Sequence, residues 1–173
     1  SHSPAIAGIE ILPHYNNYYI GNRSARWASK CRNFSKIFYS DVWKGIDLAY
    51  FFSPTGLKYE YYISPEANLN DLRIKVEGAE LTTQGTTLKM ATSHGDIMDT
   101  NLLVYDCETK QNIPSHFAVH HNVLSFDGIP EERDNSIVID PLVYSTLIGG
   151  SDEDQSMDIA IDLIIVVTAG LIG

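Results

Sequence analysis

Between Val42 and Leu81 the chain alternates apolar and polar positions in three successive runs, each closed by turn residues. In the first, Ile46, Leu48, Tyr50 and Phe52 fall on one side of a strand and Asp47, Ala49 and Phe51 on the other. Ser53-Pro54-Thr55-Gly56 interrupts it, with proline presetting φ and glycine tolerating positive φ. In the second, Leu57, Tyr59, Tyr61 and Ile63 oppose Lys58, Glu60 and Tyr62, so the two runs form a hairpin. In the third, Leu72, Ile74 and Val76 alternate with Arg73, Lys75 and Glu77. A period of two gives each strand one buried face and one wet face, whereas a helix would scatter these residues around its circumference.

The flanking sequence continues in short runs. Ile6 to Leu12 predicts a first strand ended by Pro13, and Asn17 to Gly21 a short aromatic strand. Asn22 to Lys30 predicts a single helical turn capped by Asn22 or Ser24, with Trp27 packing inward. Phe34 to Tyr39 leads into the central stretch. After Gly78 a meander is expected: Ala79–Thr82, Thr86–Met90, Asp96–Asp99, Leu102–Tyr105, His116–Val119, Val123–Phe126 and Ser136–Asp140, with a polar loop from Asp127 to Asn135. Many short strands at this spacing predict an all-β, predominantly antiparallel fold, a β-sandwich or layered sheets.

Read in order, Val-Trp-x-Gly-Ile-Asp-Leu-x-Tyr from Val42, Leu-x-Tyr-Glu-Tyr from Leu57, Pro-x-Ala-Asn from Pro65, then a strand and Glu77-Gly78-Ala79 resemble a bacterial and archaeal domain of uncharacterised function. That domain stands ahead of SBBP-type (seven-bladed β-propeller) repeats in large secreted proteins. Lys44 replaces its usual proline, Tyr62 an acidic residue and Glu66 a glycine. The likeness extends from about Asn17 to Gly150. It implies a β-rich module, residues 1–143, with an extracellular or cell-surface location and no established activity. Residues 144–173, opening Tyr144-Ser145-Thr146-Leu147-Ile148-Gly149-Gly150, resemble the start of one propeller repeat. The usual Gly-Asn turn is missing after Asp162, so the expectation there is a partial repeat, truncated or packed on the module. One blade cannot close a propeller.

A chain of 173 residues is long enough for one domain with a real core, and 20% charged residues is too few for disorder. The formal charge of −10 argues against general nucleic-acid binding, which needs cations to neutralise phosphates. No run of eighteen apolar residues predicts a membrane span. The uncharged run Leu163 to Gly173 has high β-propensity and is expected to be covered intramolecularly or in a homodimer. Cys31 and Cys107 contain no zinc pattern; they are compatible with one disulfide in an oxidising compartment or with two free thiols. The start Ser1-His2-Ser3-Pro4 reads as a cloning remnant or a trimmed mature end.

Candidate chemistry is sparse, and each candidate has a structural reading beside it. His116 and His120 would share a strand face and could begin a metal site, with His121 turned away; the structural alternative is a hairpin that carries histidines. Asp152, Glu153, Asp154 and Asp158 lack EF-hand spacing and read as a solvated turn rather than a calcium loop. Asp41, Asp47 and Glu60 could supply a hydrolytic carboxylate pair, but Asp47 and Glu60 stand at recurring positions of the resembling domain, which implies a structural role. Tyr18, Tyr19, Tyr59, Tyr61 and Tyr62 could form a sugar-stacking platform, though Tyr59 and Tyr61 share the core face of Leu57 and Ile63. No catalytic, cofactor or metal residue is assigned, and no Walker, Rossmann, G-x-S-x-G or HExxH pattern occurs. The expectation is a noncatalytic adhesion, scaffold or propeller-capping module, partnered by other domains of its chain or by surface molecules. Carbohydrate binding is the first alternative and a carboxylate hydrolase the second.

Overall fold

A computed structural model describes residues 3–54, 56–93 and 95–144. Its strands are β1 (Ala5–Tyr18), β2 (Ala28–Trp43), β3 (Ile46–Ser53), β4 (Gly56–Ile63), β5 (Ile74–Lys75), β6 (Glu80–Gln84), β7 (Thr87–Thr92), β8 (Gly95–Asp106), β9 (His116–His120), β10 (Val123–Asp127) and β11 (Ile137–Tyr144). Two 3₁₀ turns, Ser24–Arg26 and Leu69–Asp71, are the only helical segments among the described residues. The large sheet has the order β1-β2-β3-β4-β11-β8-β7-β6, the small one β5-β10-β9. Every pairing is antiparallel. The fold is all-β, built as two layered sheets.

The position of β11 explains its sequence. It is inserted between two meanders, β1 to β4 and β6 to β8, and is bonded to β4 on one side and β8 on the other. Its inner face meets the core, and on the outer face Val138 is enclosed by the large side chains of its two neighbouring strands, so its residues run apolar without alternation. Ile137, Val138 and Ile139 are all buried. Ile137 and Ile139 join the core, whereas Val138 stands between Tyr62 and Tyr105, its partners on the two neighbouring strands.

The core lies between the sheets. Ile46, Leu48, Tyr61 and Ile63 of the large sheet meet Ile74, Leu124, Phe117 and Phe126 of the small one, with Leu72 and Val76 flanking β5. Each large side chain buried this way contributes roughly 1.5–3 kcal/mol. The alternation expected at Leu72 to Glu77 is present, with Leu72, Ile74 and Val76 buried and Arg73, Lys75 and Glu77 exposed. Only Ile74 and Lys75 pair as a strand, however, because β10 meets this segment over two residues.

The Asp41-to-Asp47 stretch is a tight β2–β3 connection. Trp43 pairs with Ile46 across a two-residue turn, in which Gly45 takes a φ of +73°. A side chain at Gly45 would be strained and would press on Ala67 at 3.2 Å. Asp41, at a φ of +54°, bulges β2; its N–H donates to Asp47 Oδ1 at 2.7 Å, and its own Oδ1 accepts from Gly45 N–H at 3.0 Å. The Gly-Ile-Asp triplet is thereby explained as backbone chemistry of a turn and a bulge.

Several expectations are corrected. β1 does not end at Pro13, and no separate strand begins at Asn17: one strand runs from Ala5 to Tyr18, with a register shift between Ile11 and Tyr15. Proline is accommodated because β1 is the sheet's edge and needs no second row of amide donors. Asn22 to Lys30 forms only a three-residue 3₁₀ turn whose cap position is Arg23, with no side-chain cap. Trp27 does not pack inward; it is 45% exposed and meets the edge of Tyr19 at 5.6 Å. Asp96–Asp99 and Leu102–Tyr105 belong to one strand, β8, kinked at Asn101 with a φ of +55°. Phe52 and Leu57 lie on the core-facing register but are exposed, because Phe52 and Leu57 pair at the far end of the β3–β4 hairpin and join no core cluster. Residues 145–173, which hold the expected partial repeat, the acidic run and the apolar Leu163 to Gly173, lie outside the described residues, as do Thr55, in the turn expected after Phe52, and His94, in a His94-Gly95 turn expected ahead of Asp96.

Candidate functional site

Polar groups concentrate in five places, each set by a different part of the topology. The first is inside the large sheet. Tyr59 on β4 and Asp99 on β8 flank β11, and the Tyr59 hydroxyl donates to Asp99 Oδ2 at 2.6 Å. Asp99 is 0% exposed, stands opposite Leu88 in the register, and its Oδ1 has no hydrogen-bond partner. Burial raises its pKa to about 7; the Tyr59 hydrogen bond opposes that shift, Asp140 adds to it and Lys58 opposes it. Tyr59 is itself held well above the usual phenol range, by burial first and by Asp99 next. Tyr59 belongs to an aromatic row, Tyr39–Tyr50–Tyr59–Tyr61–Phe126–Phe117, with successive centroids 5.6 to 6.3 Å apart.

The second is the outer face of the large sheet. Lys36 reaches Glu60 Oε2 at 3.4 Å, and the Tyr62 hydroxyl donates to the same oxygen at 2.5 Å. Lys58 pairs with Asp140 at 2.6 Å. Both ammonium groups approach the Phe51 ring, Lys36 at 4.4 Å and Lys58 at 5.9 Å. These partners follow from register: Phe51 opposes both Lys36 and Lys58. Glu60 thus sits on the outer sheet face, its side chain only 13% exposed, with a cation and a phenol engaged on one oxygen, while Asp47 and Asp41 fasten the bulge. The geometry gives these acids no facing partner across a cleft.

The third is the β9–β10 turn. His120 pairs with Val123, leaving His121 and Asn122 as a two-residue turn with φ of +48° and +61°. Positive φ at both positions is the type I′ pattern that favours asparagine. The Asn122 side chain then binds a neighbouring segment: its Nδ2 donates to Val76 O at 2.7 Å and Ala79 O at 2.9 Å, and its Oδ1 accepts from Leu81 N–H at 3.1 Å. The rings of His120 and His121 pack at 4.1 Å, whereas His116 stands at the other end of β9 opposite Asp127. Among the described residues no group of three His, Cys, Asp or Glu is placed to hold a metal.

The fourth is a cleft of about 640 Å³ between the loops after β4 and β10. Arg133 crosses its floor. Its Nη1 donates to Pro130 O and Glu131 O at 2.6 and 2.9 Å, and its Nη2 reaches the carbonyls of Ser64, Pro65 and Ala67 at 3.4, 3.3 and 2.6 Å. The guanidinium is a clamp between two loops, its pKa lowered by burial. Glu66, Glu131, Glu132 and Asp134 line the same cleft.

The fifth is the β1–β2 hairpin, which carries Tyr18 and Tyr19. Every residue from 13 to 30 is exposed. The tip is ordered by its own bonds: Trp27 Nε1 donates to Gly21 O at 3.1 Å, and Lys30 N–H to Asn17 Oδ1 at 2.8 Å. Of the five tyrosines considered for a platform, Tyr59 and Tyr61 are packed in the aromatic row, Tyr62 is on the outer face, and only Tyr18 and Tyr19 share the tip. Cys31 lies in this hairpin opposite Asn16, Cys107 follows β8, and both are free thiols.

The family model described as a domain of unknown function (DUF7948) matches residues 1–142. The chain belongs to this family. The match includes both meanders and the small sheet, and ends inside the central strand β11. No curated protein and no solved structure matches the chain.

Asp99, Arg133 and Asn122 were not singled out by sequence reasoning. Asp99 had a faint signal, an acid directly after the apolar pair Ile97-Met98 of a strand run. Arg133 and Asn122 had none, since Asn122 and the Nη2 of Arg133 act on carbonyl and amide groups distant in sequence.

Proposed function

We propose that this family member is a noncatalytic structural and interaction module of a large secreted or cell-surface protein, standing ahead of propeller-type repeats. The observation that supports this reading is the β1–β2 hairpin, an ordered arm that exposes Tyr15, Tyr18, Tyr19, Ile20 and Trp27 instead of burying them. Aromatic groups kept in water at a hairpin tip serve contact with something outside the domain. The acids considered for hydrolysis support the same reading, since each has a local structural partner.

The test is a variant in which residues 14–31 are replaced by a two-residue Asn-Gly turn. An interaction module keeps the body's unfolding transition and loses binding to the surface that the intact chain coats. Turnover of a glycoside or ester panel, abolished by Asp47→Asn or Glu60→Gln with folding intact, would overturn the reading in favour of a hydrolase. Tyr18 and Tyr19 at the tip favour carbohydrate as a second reading, and a saturable glycan-array hit lost on Tyr19→Ala would establish it.

A further inference from the structure

We infer that the β1–β2 hairpin tip docks on an anionic phospholipid surface, an assignment that rests on the interaction-module reading and names its partner. The first observation is charge segregation. Residues 11–35 contain Arg23, Arg26, Lys30 and Arg32 and no Asp or Glu. This net +4 leaves −14 for the remainder of a chain whose total is −10. Among the described residues no ion pair engages these four cations, and Arg23, Arg26, Lys30 and Arg32 are all exposed.

The second observation is what the cations surround. Ile20 is 77% exposed and Tyr19 59%, with Trp27 beside them. Tyrosine and tryptophan favour the headgroup level of a bilayer, an aliphatic side chain favours the acyl boundary just below, and arginine pairs with anionic headgroups. A glycan fits less well. Tyr19 and Trp27 meet edge to face at 76°, which leaves no flat platform for a sugar ring, and Ile20 offers nothing to stack on.

The acidic body does not cancel the attraction. β2 pairs with β3 only from Lys36 onward, so eight residues, about 25 Å of extended chain, separate that pairing from Ala28 at the tip. The screening length in physiological salt is about 8 Å. Most of the charge of the described body is therefore unfelt at the surface the tip touches.

The intact chain is mixed with phosphatidylcholine vesicles, with and without roughly one-third phosphatidylglycerol, and partitioning is measured by co-sedimentation. Binding is expected to the anionic vesicles only and to weaken steeply with salt. Each cation near such a surface multiplies partitioning by about five, so Arg23→Glu with Arg26→Glu is expected to reduce it by about 25-fold or more. Ile20→Ser should reduce it by about fivefold. Trp27 emission should shift to the blue on binding, while a Trp27→Phe variant, reporting from Trp43, half-buried against the core in the body, should not respond. These sites are exposed, so an unchanged melting transition separates lost binding from lost folding. Equal binding to neutral vesicles, or binding indifferent to the charge reversal, overturns the assignment. So does binding to heparin without vesicles, or self-association abolished by the same reversal; either leaves the interaction-module reading standing with another partner.

Discussion

The Tyr59 hydroxyl donates to the Asp99 carboxylate at 2.6 Å across the central strand, joining β4 to β8 although the two are not hydrogen-bonded neighbours. Each strand pairs with β11, and the side-chain bond ties the two meanders together on the core side. This polar link has a charge problem, because Asp99 is fully buried and no cation contacts it directly. Its folded pKa of about 7 lies above the ordinary value of 3.8.

The consequence for stability has a definite sign. The folded state holds the Asp99 proton more tightly than the unfolded state, so stability is greatest below pH 4 for this group. It falls as pH rises through the window from about 4 to about 7, and is level above. The loss approaches about 4 kcal/mol as a ceiling. Asp99→Asn keeps an acceptor for Tyr59 without the charge. Urea unfolding at pH 5 and pH 8 should show wild type losing stability at the higher pH, and the variant far less affected and more stable than wild type at pH 8. Equal slopes for both proteins would contradict this assignment.

Tyr59→Phe removes the bond that lowers the Asp99 pKa. The pH window of the previous experiment should extend upward, and stability at pH 8 should fall by about 1.5–3 kcal/mol, the usual worth of a hydrogen bond to a charged group. At pH 5, where Asp99 is mostly protonated, the loss should be smaller. Chemical denaturation at the two pH values reads both effects.

Asn122 combines a backbone and a side-chain role that substitutions can separate. Asn122→Gly tolerates the positive φ but loses the three bonds to Val76, Ala79 and Leu81. We expect it to cost about 2–3 kcal/mol. Asn122→Ala should cost about 1 kcal/mol more, from left-handed strain. In hydrogen exchange, the Leu81 amide should lose protection in both variants while the β3–β4 amides keep theirs.

Arg133 acts by geometry, not charge pairing. Its fork satisfies carbonyls on two loops at once, which a lysine ammonium cannot reproduce. Arg133→Lys should therefore destabilise nearly as much as Arg133→Ala, by about 2–4 kcal/mol. Limited proteolysis should cut first in residues 127–135. A lysine variant as stable as wild type would show that charge alone suffices.

Local order was legible in the sequence wherever neighbours along the chain decide it. Period-two alternation placed β3, β4 and the buried side of Leu72 to Val76, since facing is set by strand geometry alone. The apolar run from Ile137 to Ile139 marked a strand.

Partner choice was not legible, because register between distant strands depends on the whole sheet. The sequence did not reveal that β11 enters the middle of the large sheet, and therefore did not bring Asp99 to Tyr59. It did not set Asn122 on the Val76–Leu81 segment or close Arg133 over two loops. Trp27 looked like a core residue because indole burial is normally favourable; it is exposed because no second layer among the described residues lies over the hairpin tip. By itself the sequence determined an antiparallel, all-β chain, the facing of its strands and its −10 charge. Only the tertiary structure decided which polar groups meet and that the cluster from Arg23 to Arg32 stands exposed on a hairpin tip, because partner choice and burial come from long-range pairing, which no local pattern encodes.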